Sequence, residues 1–171
     1  MTLEDDLKDK VMELMGQEST IPEFRQGLEY HYAGRLDKAI EKYRGALKFH
    51  PHDTSIRNNL GAALRTLGRI EEAIEELATV TQTDKYHAAP NNNLANAYSD
   101  QGKYFLAIQY YKKAIMIDPN YALFHHNLAL VQEMDGNVIE ALHSFEKAAE
   151  LAPGNARYKA NLERIRNEIE G

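Results

Sequence analysis

The chain of 171 residues contains no cysteine. This absence excludes disulfide bonds, cysteine nucleophiles and cysteine-ligated zinc, and it fits a reducing compartment. Long apolar runs are also missing, since runs such as Leu128 to Val131 fall far short of the roughly 18 residues that a membrane span needs. Near the start, acidic residues 4–6 stand where a signal peptide would carry basic ones. The sequence therefore predicts a cytoplasmic protein without membrane insertion.

A basic surface is not expected either. The formal net charge is −6, and residues 1–19 contribute −4 of it through six acidic residues and two lysines. The rest of the chain is close to neutral. Nucleic-acid-binding proteins usually carry a basic face that attracts phosphates. The charge distribution therefore predicts no nucleic-acid partner.

Residue groups suited to catalysis or metal binding are scarce. His50, His52 and Asp53 share a predicted turn, but a dedicated zinc site needs three or four ligands in fixed geometry, so we interpret this turn as solvated. His143 and Ser144 have no acidic partner at a recognisable motif spacing. No strand is predicted that could precede a glycine-rich phosphate loop. We therefore predict no catalytic residues, no metal site and no cofactor, and we do not expect an enzyme.

What the sequence does contain is a repeat of 34 residues. Four units follow one another without gaps, at residues 20–53, 54–87, 88–121 and 122–155. Each unit has a glycine at its fifteenth place, where the chain can leave a first helix through a left-handed conformation, and an alanine five places later. The glycines are Gly34, Gly68, Gly102 and Gly136, and the alanines are Ala39, Ala73, Ala107 and Ala141. Each unit is therefore predicted to form two helices.

Two further segments flank the repeats. Residues 1–19 include a predicted amphipathic helix with an apolar face made of Leu3, Leu7, Val11, Leu14 and Met15. This segment is predicted either to cap the repeats or to reach into a neighbouring molecule as an arm. Residues 156–171 restart a first helix and are predicted to cap the other end, with an apolar stripe of Tyr158, Leu162, Ile165 and Ile169.

The repeat resembles the tetratricopeptide repeat (TPR) family. That family's pattern is a bulky and a small residue, then an aromatic, then Ala, an aromatic, Ala and Pro at fixed offsets. In the third unit it is matched by Leu94, Ala95, Tyr98, Ala107, Tyr111, Ala114 and Pro119. The resemblance implies an all-α fold, a right-handed α-solenoid (superhelix) of helix-turn-helix repeats. It also implies that the first helices line the concave side.

Asparagine recurs at the sixth place of four successive first helices, as Asn59, Asn93, Asn127 and Asn161. The resemblance places this position on the concave groove. An amide has donors and an acceptor, so a column of amides about 10 Å apart can hold the backbone of an extended peptide. We therefore predict a non-enzymatic adaptor that binds a peptide segment of a partner protein. Asparagine is also common at this place in the family, so inherited background is the other interpretation of this asparagine ladder.

The remaining predicted peptide-binding residues make the groove apolar at its N-terminal end, polar in the middle and basic at its C-terminal end. They are Phe24, Leu28, Arg65, Asn92, Asn96, Arg157 and Arg164. Chaperone-binding members of the family hold a terminal carboxylate with lysine and arginine side chains. Those cations are missing from the corresponding places of this sequence, so a chaperone tail is not predicted as the partner.

The alternative function is a self-assembling scaffold. In that case the acidic N-terminal helix or the convex second helices would join copies of the chain into a homo-oligomer. The sequence leaves open the identity of the partner and the oligomeric state.

Overall fold

The computed structural model describes residues 21–171, so the helix predicted within residues 1–19 lies outside the described residues. The described part of the chain contains α-helices and no strand. The helices are α1 (Pro22–Tyr32), α2 (Leu36–Phe49), α3 (Thr54–Thr66), α4 (Ile70–Thr83), α5 (Ala88–Asp100), α6 (Tyr104–Ile117), α7 (Ala122–Met134), α8 (Val138–Leu151) and α9 (Ala156–Glu170). The all-α prediction is confirmed. None of these helices combines the length and the apolar character that crossing a membrane requires.

The described residues divide into two compact units. Unit 1 contains α1 to α4 and ends at Thr83, and unit 2 contains α5 to α9 and begins at Asp84. Neighbouring helices pack as pairs: α1 with α2 and α3 with α4 in unit 1, and α5 with α6 and α7 with α8 in unit 2. In unit 2, α9 also packs on α8. We call the odd-numbered helices first helices and the even-numbered ones second helices.

The turn between the two helices of a pair depends on glycine. Gly34, Gly68, Gly102 and Gly136 have φ angles of 71°, 83°, 71° and 82°. A side chain at such an angle would be strained, which glycine avoids because it has no Cβ. In each turn the next residue donates a backbone hydrogen bond to the preceding helix, as Lys103 N does to Tyr98 O at 2.9 Å. The predicted glycine turns are confirmed.

Close approach of the two helices in a pair depends on small residues. The alanines at the twentieth place of each 34-residue repeat are completely buried. On the first helices, a Cβ added to Gly27 would lie 2.5 Å from Cε1 of Tyr43, and one added to Gly61 would lie 2.5 Å from Cγ of Leu77. The large residue of the second helix therefore fills the space that the glycine leaves on the first.

A polar pair replaces an apolar contact in the last helix pair. Gln132 stands at the eleventh place of the fourth 34-residue repeat. The other repeats have Tyr30, Leu64 and Tyr98 at this place. The Gln132 side chain is buried, and Ser144 Oγ on α8 donates a hydrogen bond to Gln132 Oε1 at 2.7 Å. Because a buried amide oxygen needs a donor, Ser144 makes glutamine tolerable at this core place.

Candidate peptide-binding site

A cleft of about 440 Å³ opens in unit 2 between the first turns of α5 and α7. Helix α5, the turn before α7 and the start of α7 supply its walls. The lining residues are Ala88, Ala89, Asn92, Asn93, Asp118, Tyr121, Leu123 and Phe124. The two alanines end at Cβ and so leave room on the α5 side. The cleft is largely open to solvent, and its lining is mostly apolar with a few polar groups.

An aromatic pair forms one wall of the cleft. The ring centroids of Tyr121 and Phe124 are 4.6 Å apart, and the ring planes are inclined by 58°. Phe124 is buried, whereas Tyr121 is 49% exposed. The buried ring therefore supports the exposed one, which presents an apolar surface with a hydroxyl at its edge. This wall can accept an apolar side chain of a ligand.

A chain of asparagine amides lies beside the aromatic wall. Asn127 Nδ2 on α7 donates a hydrogen bond to Asn92 Oδ1 on α5 at 3.0 Å. Asn92 Nδ2 in turn lies 3.4 Å from Asn93 Oδ1. Asn92 is only 6% exposed, whereas Asn93 and Asn127 are half-buried. The structure thus brings three of the predicted peptide-binding residues together, and Asn127 Oδ1 accepts no bond from residues 21–171.

Asn96 connects a first helix to its partner. Its Oδ1 accepts a hydrogen bond from the hydroxyl of Tyr111, whose side chain is buried on α6. The carbonyl oxygen of this predicted ligand contact is therefore already used within the α5–α6 pair.

The predicted basic end of the groove is weaker than the sequence indicates. Arg164 on α9 donates two hydrogen bonds to the carboxylate of Glu133 on α7, at 2.6 and 2.7 Å. These bonds raise the pKa of Arg164, and Glu133 neutralises its charge. Arg157 is exposed, with its guanidinium 5.7 Å from the ring centroid of Tyr158, and Asn161 on the same helix is half-buried.

Four predicted site residues belong to unit 1. Phe24 and Leu28 are buried, and the Phe24 ring centroid lies 5.8 Å from that of Tyr43 on α2. Their side chains are used in packing, so little of the predicted apolar end of the groove is exposed at these two residues. Asn59 Nδ2 donates to the backbone oxygen of Ser55 in its own helix at 2.9 Å. Arg65 lies half-buried in the last turn of α3.

Sequence reasoning missed the residues that shape the cleft. Tyr121 and Asp118 lie in the turn before α7, and Phe124 lies in its first turn. A signal was present at the second place of the first helices, where Ala89 on α5 is small and Leu123 on α7 is large. This difference in size is visible in the sequence, but only the folded chain shows that the turn before α7 completes the wall.

Two of the residues considered for metal binding and catalysis, Asp53 and Ser144, have structural contacts. Asp53 caps α3, because its Oδ1 accepts a hydrogen bond from Ile56 N at 2.9 Å. Ser144 donates to Gln132, as described above. Within residues 21–171, no group of three or more histidine or acidic side chains is arranged to hold a metal ion.

Solved structures with a similar fold include TPR proteins. The crystal structure of MamA shares 25% identity with this chain at a TM-score of 0.76, covering 84% of each chain. TTC0263, a thermophilic TPR protein in Thermus thermophilus, shares 23% identity at a TM-score of 0.74, covering 86% of this chain and 81% of its own. The first TPR of Spaghetti (RPAP3), bound to the HSP90 peptide SRMEEVD, shares 20% identity at a TM-score of 0.66, covering 69% of this chain and 94% of its own. These likenesses confirm the α-solenoid fold class.

Family profiles match most of the repeat region. A profile described as TPR repeat matches residues 27–68 and 95–136. Two profiles described as tetratricopeptide repeat match residues 122–155 and 54–87. No curated protein matches the sequence. The chain therefore belongs to the tetratricopeptide repeat family of protein-interaction scaffolds.

Proposed function

We propose that this protein is a non-enzymatic adaptor that binds an extended peptide segment of a partner protein on the first-helix face of unit 2, the surface of α5 and α7 on which the cleft opens. The observation that carries the proposal is the position of the cleft beside the amide chain from Asn127 to Asn93. An apolar pocket with a few convergent polar groups is a binding arrangement, because the pocket supplies affinity and the polar groups set orientation.

The two parts of the site have different tasks in this proposal. A large apolar side chain of the peptide enters the cleft and packs on Tyr121 and Leu123. The peptide backbone runs across α5 and α7, where Asn93 and Asn127 bond its amide and carbonyl groups. Adjacent first helices are about 10 Å apart, which an extended peptide covers in about three residues. The site would thus bind one side chain and a short length of backbone of the peptide.

We also propose the remaining two members of the asparagine ladder as peptide contacts. Asn161 on α9 and Asn59 on α3 occupy the same place of their repeats. Arg65 and Arg157 are the further predicted contacts, and the cytoplasm remains the predicted location. The Spaghetti domain shows that a fold of this kind holds a partner peptide. In our chain Ala89 and Leu123 stand at places where a carboxylate clamp has cations, so we propose a different peptide class.

Filling the cleft tests the proposal directly. Ala89 is exposed in the first turn of α5, so Ala89→Trp should fold normally and occupy the space meant for the ligand side chain. The matched control is Ala156→Trp, which adds the same bulk to an exposed alanine in the first turn of α9. Proteins captured by the full-length chain would be identified by mass spectrometry, and overlapping peptides of each would be titrated by fluorescence anisotropy.

We expect Ala89→Trp to abolish peptide binding and Ala156→Trp to leave it unchanged. Asn93→Ala should weaken binding about tenfold or more, because backbone groups of the ligand lose a hydrogen-bond partner. Asn137→Ala removes an amide from the turn before α8 and should have no effect. Equal peptide binding by wild type and Ala89→Trp would exclude the cleft as the site.

Self-association is the second candidate function, and one surface of unit 2 favours it. Phe105 and Met116 are large apolar residues on α6 and are 69% and 82% exposed. Exposed apolar side chains of this size are typical of surfaces that contact another protein. Light scattering on the full-length chain over a wide range of concentrations tests this function, and a constant monomer mass would rule it out for that range.

A further inference from the structure

The exposed side of α6 has an apolar residue at each end. Phe105, Gln109, Lys112 and Met116 are spaced four, three and four residues apart, so they share one face of the helix, and all are exposed. We call these four residues the α6 face. A rise of 1.5 Å per residue separates Phe105 from Met116 by about 16 Å. The face therefore offers two apolar anchor points to one elongated partner.

Positive charge lies along α6 between these anchor points, and the acidic Asp118 follows the last turn of the helix. Helix α6 contains no acidic residue. Lys112 and the preceding Lys103 are exposed, and neither takes part in an ion pair within residues 21–171. Lys113 lies 4.3 Å above the ring of Tyr110 on the same helix. An acidic partner would therefore gain both charge attraction and apolar contact on this face.

Two of the other second helices, α8 and α4, do not offer this combination. In α8, Ile139 occupies the place of Phe105 and is exposed, but the helix carries Glu140, Glu146 and Glu150. In α4 of unit 1, the corresponding stretch carries Glu71, Glu72, Glu75 and Glu76. An acidic partner would be repelled by both helices, so charge favours α6 over α4 and α8.

The chain itself contains a segment with the complementary chemistry. Residues 1–19 have a net charge of −4 and are predicted to form an amphipathic helix over residues 3–15. Thirteen helical residues extend about 20 Å, which is close to the separation of the two anchor points. We propose that the acidic segment of residues 1–19 docks on the α6 face of a second copy of the chain. This inference rests on the second candidate function, self-association.

Such a contact joins two different surfaces of the same protein. It produces an open series of oligomers, or a closed dimer when two copies exchange their segments. The cleft is lined by α5, the turn before α7 and α7, so self-association through α6 does not use its lining residues. Assembled copies would then present several peptide sites at once, which raises the apparent affinity for partners with repeated motifs.

Sedimentation velocity on the full-length chain tests the apolar part of the contact. Phe105→Gln and Met116→Gln remove the anchor points without changing charge, and each should weaken self-association about tenfold, since exposed aromatic and methionine anchors dominate such contacts. Ile139→Gln is the control for Phe105→Gln, because it replaces an exposed apolar residue by glutamine at the same place of acidic α8. This control should associate like wild type, and circular dichroism verifies the folding of all variants.

Charge exchange tests the identity of the docking segment. Lys103→Glu with Lys112→Glu reverses the positive charge on the α6 face and at the residue before α6, and Asp5→Lys with Asp6→Lys reverses part of the acidic segment. Either double variant should be defective in self-association, and the chain that carries all four changes should recover it. Recovery is specific, because only paired surfaces regain attraction when both charges are reversed.

The outcomes distinguish self-association in general from docking of residues 1–19 on the α6 face. A chain that stays monomeric at every concentration overturns self-association and this inference together. Oligomers that are insensitive to the α6 variants, or that are not restored by the fourfold charge exchange, overturn this inference and leave self-association in place. Loss in both double variants, with recovery in the combined chain, establishes the contact between the segment and the α6 face.

Discussion

Asn127 on α7 donates a side-chain hydrogen bond to Asn92 on α5 at 3.0 Å, and Asn92 is almost completely buried. The bond joins two first helices that are neighbours in space and one repeat apart in sequence. One member of the asparagine ladder therefore holds the helices together through its Nδ2 atom. Its Oδ1 atom is turned to the ligand in our proposal, so a single side chain has a structural and a binding task.

Because Asn127 joins α7 to α5, we expect its replacement to lower the stability of the protein. Asn127→Ala removes the donor to a buried oxygen of Asn92, and we expect the free energy of unfolding to fall by about 1–2 kcal/mol. Asn161 stands at the same place on α9 and makes no hydrogen bond to residues 21–171, so Asn161→Ala should change stability by less than about 0.5 kcal/mol. Urea denaturation measures both. Similar losses in the two variants would show that the bond to Asn92 is not structural.

Two glycines of unit 1 should respond in opposite directions to alanine. A Cβ on Gly61 would overlap Leu77, and overpacking costs about 1–3 kcal/mol, which exceeds the gain of about 1 kcal/mol in helix propensity. A Cβ on Gly45 meets nothing within 4 Å inside α2, so only the propensity gain remains. Thermal melting should therefore show a lower Tm for Gly61→Ala and a higher Tm for Gly45→Ala. A rise in both would mean that Leu77 moves aside without cost.

The polar pair of α7 and α8 should behave non-additively. Ser144→Ala leaves the buried Gln132 Oε1 without its donor and should cost about 1–3 kcal/mol. Adding Gln132→Leu removes the unsatisfied oxygen and restores the apolar contact found in other repeats, so the double variant should regain most of the loss. Denaturation of the two single variants and the double variant gives the coupling energy. A coupling near zero would indicate that Ser144 does not satisfy Gln132.

Acid should destabilise unit 2 through His126. The ring is 1% exposed and lies between Phe145 and Tyr158, with centroids 5.6 and 4.5 Å away. Burial, helped by the charge of Arg157, lowers the pKa of His126 from 6.5 to about 4. The folded chain therefore holds this ring neutral, whereas the unfolded chain protonates it below about pH 6.5. The free energy of unfolding therefore has its full His126 contribution above that pH and loses it progressively as pH falls toward 4.

The predicted loss is about 3 kcal/mol over this range, since each pKa unit corresponds to about 1.4 kcal/mol. Urea denaturation at several pH values measures it. His126→Phe keeps an aromatic ring in the core and removes the titrating group, so it should remove this part of the pH dependence. His143→Gln, on the exposed side of α8, is the control and should follow wild type. An unchanged profile in His126→Phe would assign the acid sensitivity to other groups.

The sequence by itself determined the helix pairs. A glycine at positive φ ends each first helix whatever surrounds it, and alanines recurring every 34 residues mark where the helices approach closely. These signals are local or strictly periodic, so they can be read without the structure. The helix pairs therefore follow from local sequence signals.

Only the tertiary structure decided which side chains are available to a ligand. Arg164 and Glu133 lie on different helices, yet they neutralise each other, and Phe24 has its aromatic partner on α2. A place in the repeat gives the direction of a side chain, but it does not give the distance to the partner that packing brings next to it. The cleft beside Asn93 arises in the same way, from a turn and two helices that meet only when unit 2 folds.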